Sequence, residues 1–592
     1  MPIIEPTPKT RRQMLRAAGI AGIASLAGCS GSQSKNDAGN KKSGSGTGDG
    51  STVNASWTTT AGSGNLARKH YNQYNFKEFQ GAITGYIWDP FVAQNDFTGE
   101  YYPYLITDWS ITKGAMELNI RDGLTWWDGS KVDSKDVASS LKLGFLMNGS
   151  LDTIGEVKEK DKSTVEITLK KPTNGNILKQ TILPQSLNVK YSLYKDYVKQ
   201  YDQASSEDEL QKVRQKLASA TIDEPYGHGP WQPDQINPGK ITLKKYEKHP
   251  DADNINFSTV EFIQMGGGNQ KIWGAMKTQN IDGTKAFVEN AVGNTFPKSV
   301  KHKNFPANWG MGLWFNHDDP VLKNRNVRQA IAYLFDRKTI AKNSDATKHP
   351  VNIPNGITNA TQDRWVGDLA GKMNKYQKNT GKASTLLKKE GFTKKGGKWH
   401  QPDGQKFSLP INTPAGWSDF TASVQTMVSE LNDFGIESQV KTTDSSSYLS
   451  TLWPNGNFRV ATYGWAAGIA YPYYTYRLVY EDPGVQGAIS PPDTFKAPPV
   501  GKPNGKLQTV DPNELLAKLE KKVDKSTEKD LISQLAWLYN YNLPCLPVQE
   551  KLDQAWYDTD GWEYPSKDDD AMTYYGGLFN WLPRQGKLKA VK

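Results

Sequence analysis

The sequence predicts an α/β protein with more than one core. Strand-type and helix-type apolar patterns alternate through the body of the chain, from about residue 52 to its end. The length of 592 residues exceeds what one hydrophobic core serves, so two or more lobes are expected. No repeat of fixed period is visible, which sets aside solenoids and propellers.

The elements follow in chain order. Met116, Leu118 and Ile120 alternate as in a half-buried strand, and Asp122-Gly123 and Asp128-Gly129 are turn signals. Asp133 predicts a helix cap with Asp136 three residues on, and Val137, Leu141 and Phe145 form the apolar stripe. A second helix carries Val327, Ile331, Leu334 and Phe335 on one face. A third runs through Val424, Met427, Val428 and Leu431, stops at Gly435, and is followed by the strand-like IESQV. Residues 481–512 hold seven prolines and read as a long irregular loop. Asp511 then caps a helix with Pro512 at its first position and Leu515, Leu519 and Val523 inside. Thr527 and Asp530 open another, which buries Leu531, Leu535 and Leu538.

Composition excludes several functions. Hydrophobic residues make up 36% of the chain, and no apolar run reaches the roughly 18–20 residues of a bilayer span. The net charge of +10 comes from interleaved basic and acidic residues, with no basic stripe for nucleic acid. Two cysteines, Cys29 and Cys545, exclude a disulfide framework and a CxxC zinc site, and Cys545 reads as a buried apolar residue. The seven histidines show no i, i+4 pair and no HExxH, so no metal or cofactor is expected. There is no GxSxG elbow, and Gly266-Gly267-Gly268 lacks phosphate-loop spacing. No catalytic residue is assigned, although a secreted, lipid-anchored hydrolase stays open as the alternative.

The N-terminus reads as an address. Thr10-Arg11-Arg12-x-Met14-Leu15-Arg16 resembles a twin-arginine export signal, and a short apolar stretch, Ala17 to Gly28, follows it. Leu26-Ala27-Gly28-Cys29 resembles a lipobox, in which the Cys29 thiol takes the lipid. Residues 1–28 are therefore expected to be a lipoprotein signal peptide. Residues 29–51, rich in Gly, Ser, Asn and Lys, are expected to be a flexible tether.

Six stretches, in order, resemble the extracellular solute-binding proteins of family 5, the dipeptide- and oligopeptide-binding group of ABC importers. They are YIWDPFVAQNDFTGEYYPYLITDWSI (86–111), GLTWWDGSKVDSKDVASSLKL (123–143), PYGHGPWQP (225–233), MKTQNIDGT (276–284), LWFNHDDPVLKNRNVRQAIAYLFDRKTI (313–340) and STLLKKEGF (384–392). The resemblance implies a two-lobed, periplasmic-binding-protein-like fold of type II, in the large form, whose lobes hinge around a central cleft. One lobe would comprise residues 52–307 and a return segment 541–592, the other residues 308–540. It also implies a monomer that captures a small solute and hands it to a membrane permease, with ATP hydrolysed by a separate subunit. The protein would be held by its lipid on the outer face of the cytoplasmic membrane.

Peptide-binding relatives often place a carboxylate just after a Gly-Trp to hold the peptide's amino terminus. Here the matching stretch is Gly464-Trp465-Ala466-Ala467-Gly468-Ile469-Ala470-Tyr471-Pro472, without that Asp. Residues 461–480 carry six tyrosines, one tryptophan and a single charge, Arg477. Aromatic faces stack on sugar rings while their polar tips reach hydroxyls. The stretch is accordingly read as a strand and loop lining the cleft, with Tyr463, Gly464, Trp465, Tyr471 and Tyr473 at the ligand. Trp417 in its TPAGW loop joins them, and so do Asn65, Tyr71 and Tyr74 from the other lobe. Trp314 is expected to pack in the core. The ligand is a peptide or an oligosaccharide.

Overall fold

The pattern of buried residues follows the apolar periodicity closely in a computed structural model, which describes residues 52–62, 64–149, 151–265, 269–345 and 347–591. Arg11, Arg12, Cys29, the expected tether and Gly266, Gly267 and Gly268 lie outside the described residues. The chain divides into two compact units: residues 52–95, 100–305 and 554–591 form the first, residues 96–99 and 306–553 the second.

In the first unit, Val53–Ala61 runs parallel to Phe257–Gln264, and Lys240–Lys245 and Trp231–Asn237 extend that sheet antiparallel. The NIDGT motif has a local reason: Asp282 Oδ2 accepts the Thr58 N–H at 2.7 Å and its hydroxyl at 2.6 Å, clamping the first strand. A second sheet orders Ile106–Ile111, Ala115–Ile120, Thr164–Leu169 and Ile154–Glu159, with Met116, Leu118 and Ile120 buried as their alternation requires. Helix Ser134–Asn148 starts in a full capping box between Asp133 and Asp136. The Asp136 carboxylate also takes the Trp126 indole N–H at 2.9 Å and the Tyr191 N–H at 2.7 Å, which welds the WDG turn to the helix.

The return segment is locked by charge. Arg584, at the end of helix Leu578–Arg584, is fully buried. Its guanidinium donates to Asp89 Oδ1 at 2.7 Å and to Asp251 Oδ2 at 2.7 Å, and lies 3.8 Å from the centre of the Tyr104 ring. Arg121 reaches the other Asp251 oxygen at 2.5 Å, and His249 Nε2 lies 3.2 Å from Asp89. Burial alone would raise the Asp89 carboxyl, but the Arg584 cation holds it well below the usual carboxylate range.

The second unit is built on a five-stranded sheet ordered Val440–Thr443, Ile411–Pro414, Val460–Gly464, Met311–Phe315, Cys545–Pro547. The first three strands are mutually parallel, and Met311–Phe315 runs against both of its neighbours. Helix Ser418–Phe434 packs on this sheet through Val424, Met427 and Leu431, and ends at Gly435 with φ +99°, a left-handed position suited to glycine. The VRQA and DR pairs of the sequence serve buried carbonyls. Arg328 donates to Leu322, Lys323, Asn542 and Leu543, and Arg337 to Val351, Lys375 and Tyr376. Two guanidiniums thus satisfy backbone acceptors that would otherwise be stranded at helix ends and loops. Trp314 and Cys545 are fully buried, as expected, and burial pushes the Cys545 thiol well up.

Five expectations are corrected. The 541–553 stretch stays with the second unit because Cys545–Pro547 is an edge strand of its sheet, so the return begins at Gln554. Residues 473–480 are helix, not loop: Pro472 supplies a start and Tyr476, Val479 and Tyr480 an inward face. Residues 481–512 are not irregular throughout, since Asp482 caps helix Pro483–Ile489 and Phe495–Ala497 pairs with Gln508–Val510. Asp524, rather than Thr527, caps helix Lys525–Asn542, and Val523 lies outside the preceding helix, which ends at Glu520.

Replacing Arg584 by Met takes the guanidinium away from the Asp89 carboxylate in a dry interior. The expected loss is about 3–5 kcal/mol of stability, read from urea unfolding. Because the Asp89 value is depressed, its contribution is present above the ordinary carboxylate range and disappears as pH falls below it. The gap between wild type and Arg584→Met should therefore narrow on acidification.

Candidate functional site

Strand direction gathers the chemistry of the second unit at one edge. Met311 pairs with Gly464 and Gly312 with Pro547. Residues just before 311, just after 464 and just after 547 therefore meet at the carboxyl ends of the parallel strands. The loop after Ile411–Pro414 joins them, because that strand runs parallel to Val460–Gly464. Such edges, where loops leave a sheet and backbone groups stay open, are where α/β proteins hold ligands.

Trp309, Trp417, Gly464, Trp465, Asp419, Lys348 and Lys551 occupy this edge. Trp309 and Trp417 are only partly buried against the core. Trp309 lies over Gly464, where an added Cβ would stand 3.6 Å from its ring. Trp417 meets Phe420 edge-on at 5.0 Å. Lys551 Nζ sits 4.7 Å from the Trp309 ring centre and 5.1 Å from that of Phe420. Asp419, in the first turn of its helix, receives Lys551 at 2.9 Å and Lys348 at 3.5 Å. Burial would raise the Asp419 carboxyl; the two lysines outweigh it and hold the group below its ordinary value. Burial likewise pulls Lys348 down.

Trp465 plays a structural part beneath this surface. It is fully buried, its N–H donates to Gly310 O at 3.1 Å and its indole N–H to Gln549 O at 3.0 Å. Gly310 is required for this approach, since a Cβ there would lie 1.9 Å from Gln549 O. Tyr463 stacks on Trp453 at 4.3 Å and is half-buried. Tyr471 and Tyr473 turn away from the expected role of bare stacking faces. Tyr471 donates to Glu528 and Tyr473 to Glu520, each at 2.6 Å, and Tyr471 packs on Trp365.

The remaining three candidates belong to the first unit. Asn65 is exposed and caps the short helix Leu66–Arg68. Tyr71 is buried and pushed up to about 12 by desolvation and then by Glu224. Tyr74 is buried edge-on against Tyr194. The structure therefore brings Trp417, Gly464 and Trp465 to one edge, and seats Tyr71, Tyr74, Tyr471 and Tyr473 in packing positions. Sequence reasoning missed Trp309, Asp419, Lys348 and Lys551. Trp309-Gly310, just ahead of the LWFN stretch that starts at Leu313, and an Asp two residues after Trp417 were the available signals.

Next to Lys551, Glu550 is buried, and burial raises its carboxyl to about 7, with only the Asn359 N–H at 2.7 Å in opposition. Among the described residues no group of three or more His, Cys, Asp or Glu is arranged to hold a metal, and no helix is long and apolar enough to cross a membrane.

With this geometry in place, comparisons identify the class. Residues 100–487 match the family described as bacterial extracellular solute-binding proteins, family 5, middle. The chain belongs to that family, whose setting is outside the cytoplasm. It is 19% identical to the oligopeptide-binding protein OppA of Bacillus subtilis (strain 168) over 444 residues, 73% of this chain and 76% of that relative. Its fold matches the periplasmic oligopeptide-binding protein of an ABC transporter from Thermotoga maritima with a TM-score of 0.71 and 17% identity, covering 90% of this chain and 99% of the other. A mannohexaose-bound structure of the T. maritima protein matches at 0.65 and 17% identity, covering 91% and 99%.

Glu550 gives a pH test. Its ordinary value of 4.5 applies to the unfolded chain, so the folded protein holds the extra proton between about 4.5 and about 7. Stability falls as pH rises through that window, by about 3 kcal/mol in total. Glu550→Gln keeps an acceptor for Asn359 and carries no charge. Its melting temperature should exceed wild type by several degrees at pH 8, with the advantage shrinking towards pH 5. An advantage independent of pH would refute this account of Glu550.

Proposed function

We propose that this chain is a lipid-anchored extracytoplasmic receptor that captures a short oligosaccharide and delivers it to the permease of an ABC importer, powered by a separate ATPase subunit. The observation that carries the choice of ligand is the pair of partly buried indoles, Trp309 and Trp417, at the carboxyl edge of the second unit's sheet. Indole faces stack on the C–H faces of sugar rings, and the charged groups between them offer hydrogen bonds to hydroxyls. The Gly464-Trp465 turn continues into Ala466 and Ala467, with no carboxylate there to receive a peptide amino terminus. The likeness to a protein solved with mannohexaose supports the same reading. Trp465 acts in it by fixing the edge from below through Gly310 and Gln549.

A second reading, an oligopeptide ligand, is favoured by Asp419. Its carboxylate already receives ammonium groups from Lys551 and Lys348, the chemistry a peptide amino terminus would bring. The resemblance to an oligopeptide-binding protein points the same way. A hydrolase would return cleaved ligand, whereas a receptor returns it intact.

Titration of tryptophan fluorescence with manno- and cello-oligosaccharides decides between these readings. A saturable shift, weakened about tenfold or more in Trp417→Ala, is expected, a change of about 1.4 kcal/mol. A flat response to every sugar, together with tight binding of a peptide pool that Asp419→Asn abolishes, moves the assignment to peptide. Mass spectrometry of whatever co-purifies with the protein gives an independent answer. For the anchor, Cys29→Ala should release the protein from the membrane fraction into the medium without changing its affinity.

A further inference from the structure

A cavity of about 530 Å³ opens in the second unit, away from the edge just described. Tyr541 lines it and precedes strand Cys545–Pro547, whose Cys545 pairs with Trp314, two residues further along than the Gly312–Pro547 pair. The cavity therefore lies towards the amino end of that strand, and Trp309 and Trp417 lie past its carboxyl end.

Its lining has a definite chemistry. Tyr333 and Tyr541 are half-buried rings, and Tyr333 and Leu386 rest on the core, which fixes that wall. Lys382 Nζ stands 5.3 Å from the Tyr333 ring centre, and the Arg325 guanidinium 4.3 Å from that of Tyr541. Lys372 is the second cation of the lining, Arg325 standing behind Tyr541 rather than in the wall, and among the described residues that line the space there is no Asp or Glu. The deeper polar groups are already used. Asn540 donates to Pro354 and Asn374 carbonyls, Gln329 to Tyr541 O, and Trp537 to Pro498 O. The Asn374 amide donates to the Tyr376 hydroxyl at 3.4 Å, which leaves the lysine ammoniums, the half-buried tyrosine rings and the Asn504 side-chain amide as the groups a ligand would meet. The volume is within the range of small-ligand sites, about 300–1,000 Å³.

We infer that this cavity is a second binding site, and that it takes a short saccharide bearing carboxylates. Aromatic faces receive the C–H faces of the rings, the Asn504 amide receives hydroxyls, and cations without a lining carboxylate select an anionic sugar over a neutral one.

Isothermal titration of the full chain with a galacturonate trimer, with cellotriose as the neutral control, tests this. Binding of the galacturonate is expected, weakening with added salt. It should fall at least tenfold in Lys382→Glu and in Tyr541→Ala and be unchanged in Trp417→Ala. Lys382 is exposed, so its reversal should leave the melting temperature near wild type. Absence of binding at millimolar galacturonate, equal affinity for cellotriose, or full affinity in Lys382→Glu overturns the inference. Loss in Trp417→Ala alone overturns it too and assigns the acidic sugar to the carboxyl edge, leaving the receptor reading intact.

Discussion

A buried guanidinium holds the first unit together. Arg584 stands near the end of the chain, Asp89 near its beginning and Asp251 between them, and the three close a loop of charge with no exposed surface on the arginine. Burying such groups costs several kcal/mol each, so the arrangement survives only because every charge meets another at hydrogen-bond distance. The consequence is topological: the segment after Gln554 completes the unit, and residues almost five hundred positions apart become neighbours. In the second unit Arg328 and Arg337 do comparable work on neutral acceptors, taking up carbonyls at a helix end and along two loops.

The candidate site inherits its order from this kind of support. Gly310 lets Gln549 come close enough to accept the Trp465 indole N–H, and that contact sets the height of Gly464 beneath Trp309. Lys551, two residues further along strand Gln549–Asp558, then sits over Trp309 and pairs with Asp419. Stacking surface and charge are thus presented by residues whose backbone is already committed to sheet and helix, which is how a binding surface keeps its shape before its ligand arrives.

Much of the fold was legible because apolar periodicity and caps are local. Asp133 with Asp136, Gly435 and the 116–120 alternation needed only their neighbours to be read. Chain-order resemblance supplied the family, and its WDG, VRQA and NIDGT stretches are each tied in by specific side-chain hydrogen bonds. The site was legible only in part. Trp417, Gly464 and Trp465 were found, but periodicity cannot say which aromatic ring faces outward. Tyr471 and Tyr473 found carboxylate partners on helices some fifty residues further along. Asp419, Lys348 and Lys551 form a cluster only through strand pairing and a helix start, so no linear pattern announces them. The proline-rich 481–512 stretch misled for a related reason, because a single Asp482 cap suffices to start a helix at Pro483.

Cys545 brings a practical property. Its thiol is sealed in an edge strand against Gly312 and kept protonated by its dry surroundings. A sulfhydryl in an oxidising milieu usually invites cross-linking between molecules, yet reagents cannot reach this one while the sheet is intact. Its rate of alkylation in the native protein therefore clocks how often the second unit opens, giving a built-in chemical stopwatch for the dynamics of a solute-binding protein.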